Sequence, residues 1–225
     1  MTMKHNIEQI LEEYNVRKEN ANMLIDEIKY IIHEAIKNKP IKIHYVSDRI
    51  KPFDSFLDKI KRKDLKDPFN EVHDLIGLRI ICLFLEDISK VGDLITQGFD
   101  VFDVEKKIEE SGIDVFGYMA SHYKARLKKD TTFDGMAKNY SFEIQVRTIA
   151  QDAWASISHY LFYKHDIFLP DNLKRDFHAL SGLFYISDTH FSLLRDEQLK
   201  YLLKETEWQK NDAGITDVLK KKEKN

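Results

Sequence analysis

The spacing of apolar positions divides this chain into a few long elements. Ile7, Ile10, Leu11 and Tyr14, then Leu24, Ile28, Ile31, Ile32 and Ala35, recur at helical intervals, which predicts a helix over residues 5–38 closed by Pro40. A short strand is expected at 41–46. Beyond it Phe53, Phe56, Leu57 and Ile60 form an i, i+3, i+4, i+7 face and predict a second helix. The run LIGLRIICLFL, residues 75–85, is almost continuously apolar and β-branched, the pattern of a central strand. Residues 87–98 read as helix, and 101–110 as a strand that turns polar. The stretches 118–127 and 139–148 predict a hairpin that turns near Asp134-Gly135. From Ile149 the period is helical again, through Ala150, Ala153, Trp154, Ile157 and Leu161, and after Pro170 helix is expected to about residue 207. The expected fold is therefore α+β, a mixed sheet of about five strands flanked by helices, with helical N- and C-terminal extensions. One domain over 1–207 and a charged, fraying tail over 208–225 complete the expectation.

Composition narrows the function classes. The 225 residues contain eight Gly and four Pro, few enough to leave long elements unbroken. Lys and Arg number 35 against 38 Asp and Glu, a net charge of −3, which does not suit coating nucleic acid by bulk charge but permits a local basic patch. A single cysteine, Cys82, excludes an internal disulfide framework and a cysteine-rich zinc site. No stretch nears the ~18 apolar residues of a membrane span, and the first residues form no apolar leader, so the expected compartment is the cytosol.

Candidate chemistry comes from four segments. In the strand over 142–147, Phe142, Ile144 and Val146 alternate with Glu143, Gln145 and Arg147, so one face is apolar and the other carries a carboxylate, an amide and a guanidinium. The partner stretch puts Tyr118, His122, Lys124 and Arg126 on one face, an aromatic platform for a base beside cations suited to phosphate. Asp74 stands where a loop enters the apolar strand, a position that suits a Mg²⁺ ligand or equally a turn cap. Arg79 lies inside that strand and needs an anionic partner, for which a polyphosphate would serve. Residues 49–66 carry Arg49, Lys51, Lys59, Lys61, Arg62, Lys63 and Lys66 against Asp54, Asp58 and Asp64, a locally basic helix in an acidic chain. There is no HExxH, P-loop or GxSxG, so a zinc enzyme and a serine hydrolase are disfavoured.

Together these segments resemble the synthetase domain of the RelA/SpoT family in its small, single-domain form. The motifs are RIK at 49–51 with the basic helix after it, HDLIGLRI at 73–80, Gly117-Tyr118 with His122 four residues on, EIQVRT at 143–148 and AWASISHYLFYK at 153–164. The resemblance covers about residues 5–200. It implies a nucleotidyltransferase-like synthetase fold that moves the β,γ-pyrophosphate of ATP to a ribose 3′-hydroxyl with Mg²⁺ as cofactor. It assigns ATP binding to Arg49, Lys51, Lys59, Arg62 and Arg79, with Arg49 and Arg79 flanking the adenine. Asp74 becomes the metal ligand, and Glu143 the carboxylate that assists the metal and activates the hydroxyl. Tyr118 becomes the aromatic under the acceptor base, with His122, Gln145 and Arg147 shaping the same face.

The sequence departs from the nucleotide-making members at the acceptor. Met119 and Ala120 follow Tyr118 where those members carry a cation and Ser; Ile113, Asp114, Val115 and Phe116 precede the Gly-Tyr pair; Ser158 replaces a common Glu. Leaving a 5′-phosphate unpaired in this way costs about 1.5–3 kcal/mol for each charge-assisted bond not made. This pattern is similar to the toxic small alarmone synthetase subgroup, whose members include enzymes that modify the 3′-terminal adenosine of tRNA. The first expectation is thus a tRNA 3′-end pyrophosphokinase, a toxin held by an antitoxin protein, with Lys124, Arg126, Lys128 and Lys129 as candidate tRNA contacts. The alternative is a small alarmone synthetase acting on GDP, GTP or adenine nucleotides, and retention of both Asp74 and Glu143 speaks against an inert binding module. Self-association is left open.

Overall fold

The computed structural model describes residues 7–106, 120–133, 135–163 and 170–222. Helix α1 spans Ile7–Ile36, strand β1 Ile43–Ile50, helix α2 Phe53–Lys63, the short α3 Pro68–Glu71 and strand β2 Ile76–Cys82. Helix α4 (Leu85–Gly98), strands β3 (Asp100–Lys106), β4 (Ser121–Arg126) and β5 (Phe142–Thr148), and helices α5 (Ile149–Ser158) and α6 (Asp171–Lys222) follow. The fold is the α+β architecture expected, with a five-stranded mixed sheet in the order β1-β2-β5-β4-β3. Of these neighbours β2 and β5 are parallel; the others run antiparallel.

One face of the sheet is the core. Leu78, Ile80 and Cys82 of β2, Phe142, Ile144 and Val146 of β5, and Tyr123 and Ala125 of β4 are buried there. They pack in one cluster with Leu24, Ile28 and Ile32 of α1 and Val91 and Ile95 of α4. Helix α4 lies so close to β4 that a Cβ at Gly92 would stand 2.1 Å from the Tyr123 hydroxyl oxygen, so only glycine fits. A second cluster joins Tyr14 of α1 to Phe56 and Ile60 of α2 and to Val72 and Leu75. It has a functional consequence. The Tyr14 hydroxyl donates to the Lys51 carbonyl at 2.9 Å, and the Lys51 amide donates to the Leu75 carbonyl at 2.8 Å. The packing thereby fixes the chain on both sides of the loop that presents Asp74.

Several boundaries differ from the sequence reading. Strand β1 runs on to Ile50, not 46, because it pairs antiparallel with β2 as far as Ile50 opposite Ile76. That places Arg49 within the sheet rather than in a lead-in to α2. Strands β4 and β5 are antiparallel neighbours as a hairpin requires, but their connection is the wide segment 127–141 with a 3₁₀ turn at Met136–Asn139, not a tight turn at Asp134-Gly135; Asp134 lies outside the described residues. Helix α5 runs into a π-helical turn at His159–Tyr163. Helix α6 carries its backbone to Lys222, beyond the boundary expected near 207. It is tied to the body by Arg195, which donates to Glu86 Oε1 and Asp87 Oδ2, both at 2.9 Å, and lies over the Phe84 ring.

Candidate active site

The opposite face of the sheet carries the polar residues, and strand register arranges them in rows. One row runs Arg49, Gly77, Glu143, Lys124, Asp103 across β1, β2, β5, β4 and β3. The next runs Ser47, Arg79, Gln145, His122, Glu105, and a third Tyr45, Ile81, Arg147. The alternation predicted for β5 holds: Phe142, Ile144 and Val146 are fully buried in the core, and Glu143, Gln145 and Arg147 share the polar face.

The β1–β2 half of this face is cationic. Arg49 and Arg79 stand on adjacent strands and, with Ser47, Gly77 and Gln145, line a cavity of about 220 Å³. Lys51 Nζ lies 2.9 Å from Asp74 Oδ2 and Lys59 Nζ 2.7 Å from Asp74 Oδ1. Burial alone would raise the Asp74 carboxyl, but hydrogen bonds from Lys59 and Lys51 outweigh it and hold the group below its ordinary range. Arg62 sits in the exposed last turn of α2, among the basic residues there. Arg147 is pushed down to about 10, first by burial and then by the charge of Arg79.

Glu143 marks the seam of the face. It is 8% exposed, and its Oε1 accepts from Gln145 Nε2 at 2.6 Å and lies 3.6 Å from His122 Nδ1. Burial works to raise this carboxyl; the His122 and Gln145 contacts and the charge of Lys59 prevail and bring it down to about 2. The two carboxylates singled out from the sequence are therefore both ionised at neutral pH, and Lys59 acts on each. This donor set suits Mg²⁺, which takes one or two carboxylates and completes its shell with phosphate oxygens and water. Among the described residues no group of three or more His, Cys, Asp or Glu side chains gathers as a metal cage.

The β4–β3 half is different. Lys124 Nζ is 2.8 Å from Asp103 Oδ2 and 2.5 Å from Glu105 Oε1. Burial opposes the charge on Lys124, but these two acids more than offset it and raise the ammonium above its ordinary value. The Arg126 guanidinium lies 4.6 Å over the Phe102 ring. His73, of the HDLIGLRI motif, meets the same ring edge-on and hydrogen-bonds Ser141 through Nδ1 at 3.0 Å. Lys128 donates to the Gln97 carbonyl at 2.6 Å, and Lys129 is exposed. The four basic residues expected to meet tRNA do not form one open row, since Lys124, Arg126 and Lys128 already have intramolecular partners. Tyr118 and Met119 lie outside the described residues.

Two participants escaped the sequence reading. Asp152, in the first turn of α5, lies 2.9 Å from Arg79 Nη1 and 3.6 Å from Arg147 Nη1. Tyr45 of β1 donates its hydroxyl to Asp152 Oδ2 at 2.9 Å. An acid in a helix's first turn ordinarily complements the helix dipole, so nothing local distinguished it. The acids of β3 did leave a signal, because Asp103 and Glu105 alternate onto one face.

A cationic pocket on one strand pair, an ionised carboxylate at the seam and a carboxylate–lysine cluster beside it share one sheet face, a set of charges that suits phosphate groups. Residues 48–167 match the family model described as a region found in RelA/SpoT proteins. The chain is 30% identical to the GTP pyrophosphokinase YjbM of Bacillus subtilis over 195 residues, 84% of this chain and 89% of that one. Its fold matches small alarmone synthetase 1 of Bacillus subtilis bound to its product pppGpp, at 29% identity and a TM-score of 0.67 over 84% of this chain and 96% of that one. The same synthetase bound to AMPCPP matches at 28% identity and a TM-score of 0.64, over 86% of this chain and 97% of that one. The chain belongs to the RelA/SpoT family, and within it to the pyrophosphokinases of the synthetase type. Among the described residues no helix is long and apolar enough to cross a membrane.

Proposed function

We propose that this chain transfers the β,γ-pyrophosphate of ATP to the 3′-hydroxyl of a guanine nucleotide, forming guanosine tetra- or pentaphosphate and releasing AMP. The observation that carries the reading is Glu143, an ionised, buried carboxylate at the seam between the Arg49–Arg79 pocket and the β4 strand. The relatives bound to an ATP analogue and to pppGpp support the two substrates. Arg49 and Arg79 would take the purine between them, and Lys51, Lys59 and Arg62 the triphosphate, releasing Asp74 from its lysines. Asp74, with Glu143, would hold Mg²⁺, which when bound neutralises charge on the phosphate oxygens. The acceptor oxygen attacks the β-phosphorus as the bond to the α-phosphate oxygen breaks, so positioning and charge neutralisation are the main demands. A carboxylate held near 2 is a weak base. Glu143 therefore orients the hydroxyl and receives its proton only as the new bond forms.

A second reading is the 3′-terminal adenosine of tRNA as acceptor, the activity of a toxin kept in check by an antitoxin protein. Asp103 and Glu105 favour it, because two acids beside the acceptor strand oppose a 5′-polyphosphate that a tRNA terminus does not bring. Incubation with γ-labelled ATP and GDP, GTP or deacylated tRNA side by side separates the two. Label in guanosine tetra- or pentaphosphate with none in tRNA supports the first reading; the converse overturns it.

A further inference from the structure

We infer that Asp152 is a positioning residue for ATP, holding the Arg79 guanidinium in the pose that receives the nucleotide. The inference rests on the reading of the Arg49–Arg79 cavity as the ATP site. The side chain of Asp152 is 14% exposed, and it contacts three groups on three strands. Oδ1 faces Arg79 of β2 at 2.9 Å and Arg147 of β5 at 3.6 Å, while Oδ2 accepts from Tyr45 of β1 at 2.9 Å.

Two features make this contact more than a surface ion pair. The helix turn that carries Asp152 is itself fixed. Thr148 caps α5 by accepting from the Gln151 amide at 3.1 Å, the Gln151 side chain accepts from the Thr148 amide at 3.0 Å, and the Thr148 hydroxyl donates to Asp188 of α6 at 2.5 Å. The carboxylate is thus a fixed anchor, and its close ion pair with one guanidinium nitrogen limits where the flat Arg79 head can sit. A guanidinium stacks on a purine only in the correct plane, so its prior orientation saves ordering entropy on binding. Secondly, Arg79 and Arg147 repel each other, and Asp152 is the acid that faces both. Without it, Arg79 loses its anchor and Arg147 loses one of the two acids that offset its charge, Glu143 being the other.

The test is binding and steady-state kinetics with Asp152→Asn, Asp152→Glu and Tyr45→Phe in the full chain. Asp152→Asn is expected to weaken a non-hydrolysable ATP analogue, followed by calorimetry, by roughly tenfold, and to raise the ATP KM equally. The kcat and the acceptor KM should stay within about threefold. Tyr45→Phe, which keeps the ring and the carboxylate, should weaken the analogue by about two- to fourfold, and Asp152→Glu should recover part of the loss. In an Arg79→Ala background, Asp152→Asn should cost nothing further, whereas a merely structural role would give additive losses. Unchanged analogue affinity in both Asp152→Asn and Tyr45→Phe, or a fall in kcat alone, overturns the inference. Wild-type protein that fails to bind the analogue at all overturns the ATP-site reading itself, and that result is separate from one in which wild type and variants bind alike.

Discussion

The two halves of the polar sheet face solve opposite electrostatic problems. On the β1–β2 side, Arg49, Arg79, Lys51, Lys59 and Arg147 gather, and among the described residues their ion pairs are with Asp74 and Asp152, so cations outnumber the acids they pair with. On the β4–β3 side, Lys124 is closed off by Asp103 and Glu105, and Arg126 is laid on Phe102, so the cations are already matched. A shared fold thus provides one half whose cations outnumber the acids they pair with and another in which two acids close on one lysine. The difference shows that net charge across a sheet face matters less than which charges retain an unmet partner. It also singles out Glu143, which stands between the halves and belongs to neither, as the carboxylate to test first.

The largest expected effect is therefore at the seam and at Asp74, the carboxylate proposed to share its metal. Glu143→Gln and Asp74→Asn should each lower pyrophosphate transfer by at least about 100-fold, the loss typical of a group acting mainly in the transition state. Far-ultraviolet circular dichroism should stay as in wild type. Transfer above about a tenth of wild type in either variant would remove that residue from the chemistry.

The second effect concerns acid. Glu143 is held at about 2, well below its ordinary 4.5, so it favours the folded state at pH values above 4.5. That contribution is lost as pH falls from 4.5 through 2, an order of magnitude of about 3 kcal/mol. Urea denaturation at pH 5 and pH 3 should show wild type losing stability over this window, and Glu143→Gln losing visibly less. Parallel losses in the two proteins would mean that the carboxylate is not held down by His122 and Gln145.

Much of this arrangement was legible in the sequence. Strict alternation over 142–147 placed Glu143, Gln145 and Arg147 on one face because a strand has no other way to turn its side chains. The apolar run around Arg79 gave β2, and the helical spacing of Phe53, Phe56 and Ile60 gave α2. What stayed hidden was long-range pairing. Tyr45 and Asp152 are 107 positions apart, Thr148 and Asp188 40 apart, and no local pattern encodes either contact. The reach of β1 to Ile50 was hidden for the same reason, since it comes from pairing with β2 and not from its own composition. Lys124 is expected from the sequence to meet phosphate for the opposite reason: its strand is clear, but the neighbour that neutralises it shows only as a stretch turning polar.

A third measurement sets the halves directly against each other. Lys59→Ala removes a cation that touches Asp74 and acts on Glu143, and should raise the ATP KM by about tenfold. Lys124→Met, on the other half, should leave the ATP KM within about twofold, since its charge is already matched by two acids. Equal effects on ATP from both variants would erase the distinction between the halves.

The smallest effect tests the acids themselves. Asp103 and Glu105 have side chains 46% and 38% exposed, so each ion pair with Lys124 stabilises the fold little. Their influence should appear instead in acceptor choice. Replacing both as Asp103→Asn and Glu105→Gln leaves the hydrogen-bonding shapes in place but removes two negative charges, returning Lys124 to the acceptor strand as an unmatched cation. Attraction for a 5′-polyphosphate should then grow with its charge, so GTP should gain over GDP, and GDP over GMP, by about two- to fivefold in kcat/KM, more at low salt than at high. The ATP KM should not move, because the cationic half is untouched. If the ranking of acceptors is the same in wild type and the double variant at every salt concentration, the acids only tether Lys124, and the acidic character of this half has no part in selecting the acceptor.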